Sequence, residues 1–187
     1  MLMTVEELRQ YITTEETDAF LEAKLQALEL TIRRYTNNNF QKRGFRIEAD
    51  IRAGVFMSES LIPFDVGDTI MISESDLQSG MLCTVKEITD DTTFTVNEDV
   101  ANDDYILVTK VEYPADVKMG AVNILKWQLR NEAANSGDKS MKDIQSETLS
   151  RHSVTYATDA TEADMSADFG VPKKHVAFLN LYKKARF

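Results

Sequence analysis

Between residues 63 and 96 the chain reads Pro63-Phe64-Asp65-Val66-Gly67-Asp68-Thr69-Ile70-Met71-Ile72-Ser73 and then, past a short polar break, Gly80-Met81-Leu82-Cys83-Thr84-Val85-Lys86-Glu87-Ile88-Thr89-Asp90-Asp91-Thr92-Thr93-Phe94-Thr95-Val96. Runs of β-branched and aromatic residues cut by turn formers are the signature of short strands. Thr69–Ser73, Leu82–Ile88 and Thr92–Val96 therefore read as strands. Upstream, Phe45, Ile47, Ala49 and Ile51 alternate with charged residues. Downstream, Tyr105–Val111 supplies a further strand. The turns between them are Pro63–Asp68, Gln78-Ser79-Gly80, Thr89-Asp90-Asp91 and Ala101-Asn102-Asp103-Asp104, all rich in residues that favour tight backbone reversals. Five short strands at close spacing predict a small antiparallel barrel or curled sheet.

The Gly67-Asp68-x-Ile70-x-Ile72 strand followed by a hairpin resembles a segment of small SH3-type barrels. On both sides of it the apolar period lengthens to that of a helix. Thr4 with Glu7 fits a capping box for a short helix through Ile12, and Thr13 with Glu16 fits a second. Leu21, Leu25, Leu28, Ile32 and Tyr35 then form one stripe, with Phe20 and Ala27 beside it, and Asn37-Asn38-Asn39 ends the helix. After Pro114, Asp116 fits an N-cap. Val117, Ala121, Ile124, Leu125, Gln128 and Leu129 lie on one face, Trp127 is beside it, and the helix should end near Ala134. Residues 135–150 read as a loop, His152–Tyr156 as an extended segment, and 157–170 as loose and acidic. A short helix is expected from Pro172, where Val176, Leu179 and Tyr182 recur every three residues. The predicted fold is α+β: a small helical bundle (residues 1–45 and 115–150), an inserted acidic antiparallel β-barrel-like subdomain (46–114), and an extended C-terminal tail ending in a short helix (151–187).

The 187 residues carry 31 acidic and 21 basic side chains, net −10, with 43% hydrophobic residues, an ordinary globular composition. Divided by period, residues 1–45 carry net −1, residues 115–187 net +2, and residues 46–114, with fifteen acids and four bases, net −11. The acidity therefore belongs to the β segment. It disfavours gripping of nucleic acid through phosphate neutralisation, and it serves either solubility or a partner that reads the field. The N-terminus lacks a positive region followed by an apolar one, and no run reaches the roughly 18 apolar residues of a membrane span.

Reactive groups do not gather. His152 and His175 have no ligand partner at metal-binding spacing on a common helix face. Cys83, the single cysteine, sits inside a strand as a small hydrophobe rather than a nucleophile, and excludes an internal disulfide framework. Asp90-Asp91 and Asp103-Asp104 fit turn geometry first and a divalent cation second. No glycine-rich phosphate loop is present. The residues thus point away from an enzyme and imply no cofactor and no metal.

Three stretches carry a resemblance to a family. The first is Met3–Phe40, ending Tyr35-Thr36-Asn37-Asn38-Asn39-Phe40. The second is Tyr113–Asn131, a helix entered through Pro114. The third is Ser146–Tyr156 followed by the closing Leu181-Tyr182-Lys183-Lys184-Ala185-Arg186-Phe187. In this order they resemble the head–tail connector (adaptor, or head-completion) proteins of tailed bacteriophages. The likeness covers residues 1–45 and 115–187; the 69 residues between depart from it. It implies a structural virion protein at the head–tail junction, assembled in the host cytoplasm. Copies would form a dodecameric ring between the portal protein and a head-closure or tail protein. Double-stranded DNA would pass through its channel with only transient, non-specific contact, and no membrane would be involved. The tail residues that would serve assembly are Ser153, Val154, Thr155, Tyr156, Lys173, Lys174, Phe178, Tyr182, Lys183, Arg186 and Phe187, and removal of 151–187 is expected to leave the helices folded. Asp90, Asp91, Asp103 and Asp104 would form an acidic surface. The alternative is a monomeric interaction module working through its β subdomain.

Overall fold

The computed structural model describes residues 1–136, 146–149, 152–155 and 164–185. The elements run α1 (Val5–Arg9), α2 (Asp18–Thr36), β1 (Gln41–Arg52), β2 (Val55–Met57), β3 (Thr69–Glu74), β4 (Leu82–Asp90), β5 (Thr93–Val96), β6 (Asp103–Val111) and α3 (Ala115–Ser136). They continue as β7 (Ser146–Leu149), β8 (His152–Thr155), β9 (Met165–Ser166), β10 (Val171–Pro172) and two 3-10 turns, Lys173–His175 and Ala177–Tyr182. Two compact units result: a barrel unit of Asn38–Pro114 with Met1, and a helical unit of Leu2–Asn37 with the described residues from Ala115.

The barrel is six-stranded, antiparallel and closed in the order β1-β2-β5-β4-β3-β6. Closure leaves no unpaired sheet edge. The alternation seen in the sequence turns Ile47, Ala49, Ile51, Ile70, Ile72, Cys83, Val85, Phe94, Ile106 and Val108 inward, where all are buried. Phe94 is the hub. Phe56 stacks on it at 4.7 Å and Phe64 meets it edge-on at 5.9 Å, geometries that add to simple burial. The Gly67-Asp68 turn is pinned twice. The Gly67 amide donates to the Val85 carbonyl (2.8 Å), and Asp68 pairs with Lys110.

The sixth strand, β2, is absent from the sequence expectation. It is three residues long, too short for alternation to register, and it follows a two-residue hairpin turn. That turn holds Ala53 at φ 49° and Gly54 at φ 79°. Both central residues are left-handed, as the twist of a tight hairpin demands. Phe45 is also corrected. It does not continue the inward row but is 37% exposed, because residues 42–45 bulge out of register between the Gln41–Val111 and Arg46–Thr109 pairs.

In the helical unit the Thr4–Glu7 capping box forms, but α1 ends at Arg9. The second start is at Thr17, not Thr13: the Thr17 hydroxyl accepts from the Phe20 amide, and the Thr14 hydroxyl is used by the Glu16 amide just before. Leu21, Leu25, Leu28 and Ile32 are buried as the stripe requires. Phe20 and Ala27 face out, and the stripe widens through Glu29, which accepts from the Leu2 amide at 2.9 Å. Asn37 closes α2 in the left-handed conformation, φ 49°. Asp116 lies in the first turn of α3 rather than at its cap.

The fold is α+β but not dominated by a helical bundle, which corrects the expectation of a bundle frame. Among the described residues only α2 and α3 are long, and a closing segment completes their core. The stretch expected to be loose is ordered from residue 164: Met165–Ser166 pairs with Val171–Pro172, and Phe169 is buried. The expected terminal α-helix is two 3-10 turns instead. The spacing of three between Val176, Leu179 and Tyr182 is the 3-10 repeat, and Val176 and Leu179 enter the core. Removal of 151–187 would therefore strip core side chains from the helical unit rather than leave it intact.

Candidate functional site

The expected assembly residues divide by position. Ser153, Val154 and Thr155 lie on β8, in a hairpin opposite Thr148, Glu147 and Ser146 of β7. Tyr156, Arg186 and Phe187 lie outside the described residues. The rest sit on the closing segment, and most of them grip their own unit. A Cβ at Gly120 of α3 would stand 2.0 Å from Phe178 Cζ, so only glycine leaves room for that ring. The Tyr182 hydroxyl donates to both carboxylate oxygens of Asp116 at 2.7 Å. That bond, with lesser help from burial, holds the Tyr182 phenol above its ordinary value. The Lys183 ammonium lies 3.9 Å from the centre of the Tyr35 ring, a cation–π distance. Tyr35 also meets Phe169 edge-on at 5.3 Å, and its hydroxyl donates to Asn180. Lys173 and Lys174 are exposed.

The four turn aspartates do not come together. Asp90 and Asp91 lie at the β4–β5 turn and Asp103 and Asp104 at the start of β6, with two strands between β5 and β6 in either direction round the barrel. Each of Asp90, Asp103 and Asp104 has a local task. Asp90 accepts from the Thr92 amide and hydroxyl, which holds its carboxyl below the ordinary range. Asp103 accepts from the Ser75 hydroxyl, and Asp104 pairs with Arg52. Asp91 is exposed.

Neither Cys83 nor His175 is placed as an activated group. Cys83 is 1% exposed, and burial, with Glu98 adding to it, pushes its thiol up to about 12, far from a reactive thiolate. His175 is held below its ordinary value by burial, with Lys174 beside it. Among the described residues no three His, Cys, Asp or Glu side chains converge as a metal site. No helix among them is long and apolar enough to cross a membrane.

The barrel carries a cleft that the sequence did not announce. Glu48 and Asp50 of β1, Met57 of β2, Glu59 just beyond it, and Tyr105 of β6 line it. Register builds it. Ala49 pairs with Ile106 and Ile51 with Asp103, so Asp104 and Tyr105 together face the single residue Asp50. This bulge puts Tyr105 at φ 53° and leaves its side chain 89% exposed, while its amide donates to Asp50 Oδ1 at 2.8 Å. Met57 is 41% exposed. Exposed aromatic and apolar side chains thus stand beside carboxylates, a surface suited to a cationic side chain with an apolar stem.

No model of a known protein family matches the sequence, and none of the curated proteins matches it.

Proposed function

We propose that the chain is a structural, non-catalytic subunit of a ring at the head–tail junction of a tailed bacteriophage. It would bind portal protein on one side and a head-closure or tail protein on the other, with DNA passing through the channel. One observation carries this reading most: residues from the stretches that resemble connector proteins converge in one unit. Tyr35 and Asn37 close α2, Asp116 and Gly120 open α3, and Phe178, Tyr182, Lys183 and Ala185 close over both. Asn37 Nδ2 donates to the Ala185 carbonyl at 3.1 Å and the Lys184 amide to the Thr36 carbonyl at 2.8 Å. The connector-type helical frame, in this reading, is a two-helix unit locked by its closing segment. A closed ring requires a heterologous contact, one patch against a different patch on the neighbour.

The second reading is a monomeric interaction module. It draws on the barrel having a complete core of its own and an exposed aromatic cleft. Mass measurement and electron microscopy of the full chain, alone and mixed with portal protein, separate the two. The ring reading expects closed annular particles seated on portal. A protein that stays monomeric and ignores portal would overturn it in favour of the module.

A further inference from the structure

The barrel unit, residues 38–114, carries fifteen acids and six bases, net −9, yet its cations are not scattered. Three of them, Lys42, Arg43 and Arg46, fall within the five residues Lys42-Arg43-Gly44-Phe45-Arg46. Residues 42–45 oppose the single residue Lys110 of β6, so they stand out from the barrel wall as a wide bulge. Within it, Lys42 pairs with Glu112 at 2.6 Å and lies 4.5 Å from the Phe45 ring centre, which stiffens the bulge. Arg43 and Arg46 are exposed and have no ion-pair or hydrogen-bond partner for their side chains among the described residues. The opposite sign is gathered further along the same strand. Glu48 and Asp50 line the cleft with Glu59, Met57 and Tyr105, and Glu48 and Glu59 likewise have no partner among the described residues.

We propose that this cleft receives the Lys42–Arg46 bulge of a second copy of the chain. Arg43 and Arg46 would lay their guanidinium planes on Tyr105 and meet the Glu48 and Glu59 carboxylates, the pairing for which arginine is best suited. Bulge and cleft lie side by side along β1, with Arg46 two residues from Glu48, so two copies can meet with each bulge in the other's cleft and opposite signs face each other twice.

The test uses the full chain at high concentration and low ionic strength, where such a contact is least screened. Wild type is expected to self-associate in sedimentation velocity, and added salt to weaken it. Arg43→Glu/Arg46→Glu puts two acidic surfaces together; Glu48→Lys/Glu59→Lys puts two basic ones together. Each alone is expected to weaken association by at least about tenfold. An equimolar mixture should restore it, because each variant's bulge then fits the other's cleft. Tyr105→Asn suits the left-handed backbone, and should keep the fold by circular dichroism while weakening association about fivefold, in keeping with the loss of a guanidinium–ring contact. A monomeric wild type, variants that associate as wild type does, or a mixture that fails to recover would each overturn the contact.

Discussion

The barrel draws its core from one unbroken stretch, Asn38–Pro114, whereas the helical unit joins Leu2–Asn37 to residues that follow Ala115. The barrel's core side chains come from strands paired all the way round, and the loss of one large ring leaves a hole that neighbours cannot fill. The helical unit relies on a thin closing piece held by a few named contacts: Phe178 on Gly120, Tyr182 on Asp116 and Lys183 on Tyr35. Charge divides the same way, −9 on the barrel residues and −1 on the rest. One unit is therefore built for internal stability with an electrostatic exterior. The other is built by convergence of distant segments, and small insults should open it locally.

The largest test is Phe94→Ala. Deleting a ring at 0% exposure, stacked on Phe56, should cost about 3–5 kcal/mol and speed hydrogen exchange throughout β4 and β5 while α3 amides stay protected. Equal acceleration in α3 would break the distinction between the units. The mirror experiment is Gly120→Leu. It evicts the Phe178 ring at a cost of about 1–3 kcal/mol, and proteolysis should then cut within 164–185 while the barrel amides remain protected.

A smaller effect concerns the Cys83 thiol. Its folded value near 12 lies above the unfolded one, so between them only the unfolded chain gives up the proton. Stability must therefore fall as pH rises through roughly 9 and beyond, by up to about 1.4 kcal/mol per pH unit. Denaturant titrations of wild type and Cys83→Ala should diverge with that sign between pH 8.5 and 10.5, and parallel curves would contradict it. The smallest is a gain. Ala53→Asn places a residue tolerant of φ 49° in the β1–β2 turn and should add about 0.5 kcal/mol, read as a raised Tm of the barrel transition.

Much of the barrel could be read in advance because inward and outward residues alternate along each long strand, as from Ile47 to Ile51 and from Ile106 to Val108. The three residues of β2 gave no such run. The closing segment advertised its 3-10 repeat through Val176, Leu179 and Tyr182, but a spacing of three is also one half of a helical pattern. The cleft was hidden for a different reason. Glu48, Met57 and Tyr105 come from three strands, and only the β1–β2 and β1–β6 registers bring them together. A signal did exist: Tyr105 is a large aromatic on the outward phase of β6. The basic bulge was masked by the division of the chain at residue 46, which assigned Lys42 and Arg43 to the helices.

The pairing of β1 with β6 has one more consequence. These are the first and last strands of the barrel, with Gln41 opposite Val111 and the Glu112 amide bonded to the Phe40 carbonyl at 3.0 Å. The 77 residues from Asn38 to Pro114 thus return the chain beside the point where it left. Once the barrel has folded, the tether between α2 and α3 behaves as a loop of a few residues. Against an unstructured loop of the full length, that lowers the entropic cost of joining the two helices by about 2 kcal/mol. The barrel is in this sense a clasp: once folded, it makes the discontinuous unit cheap to assemble.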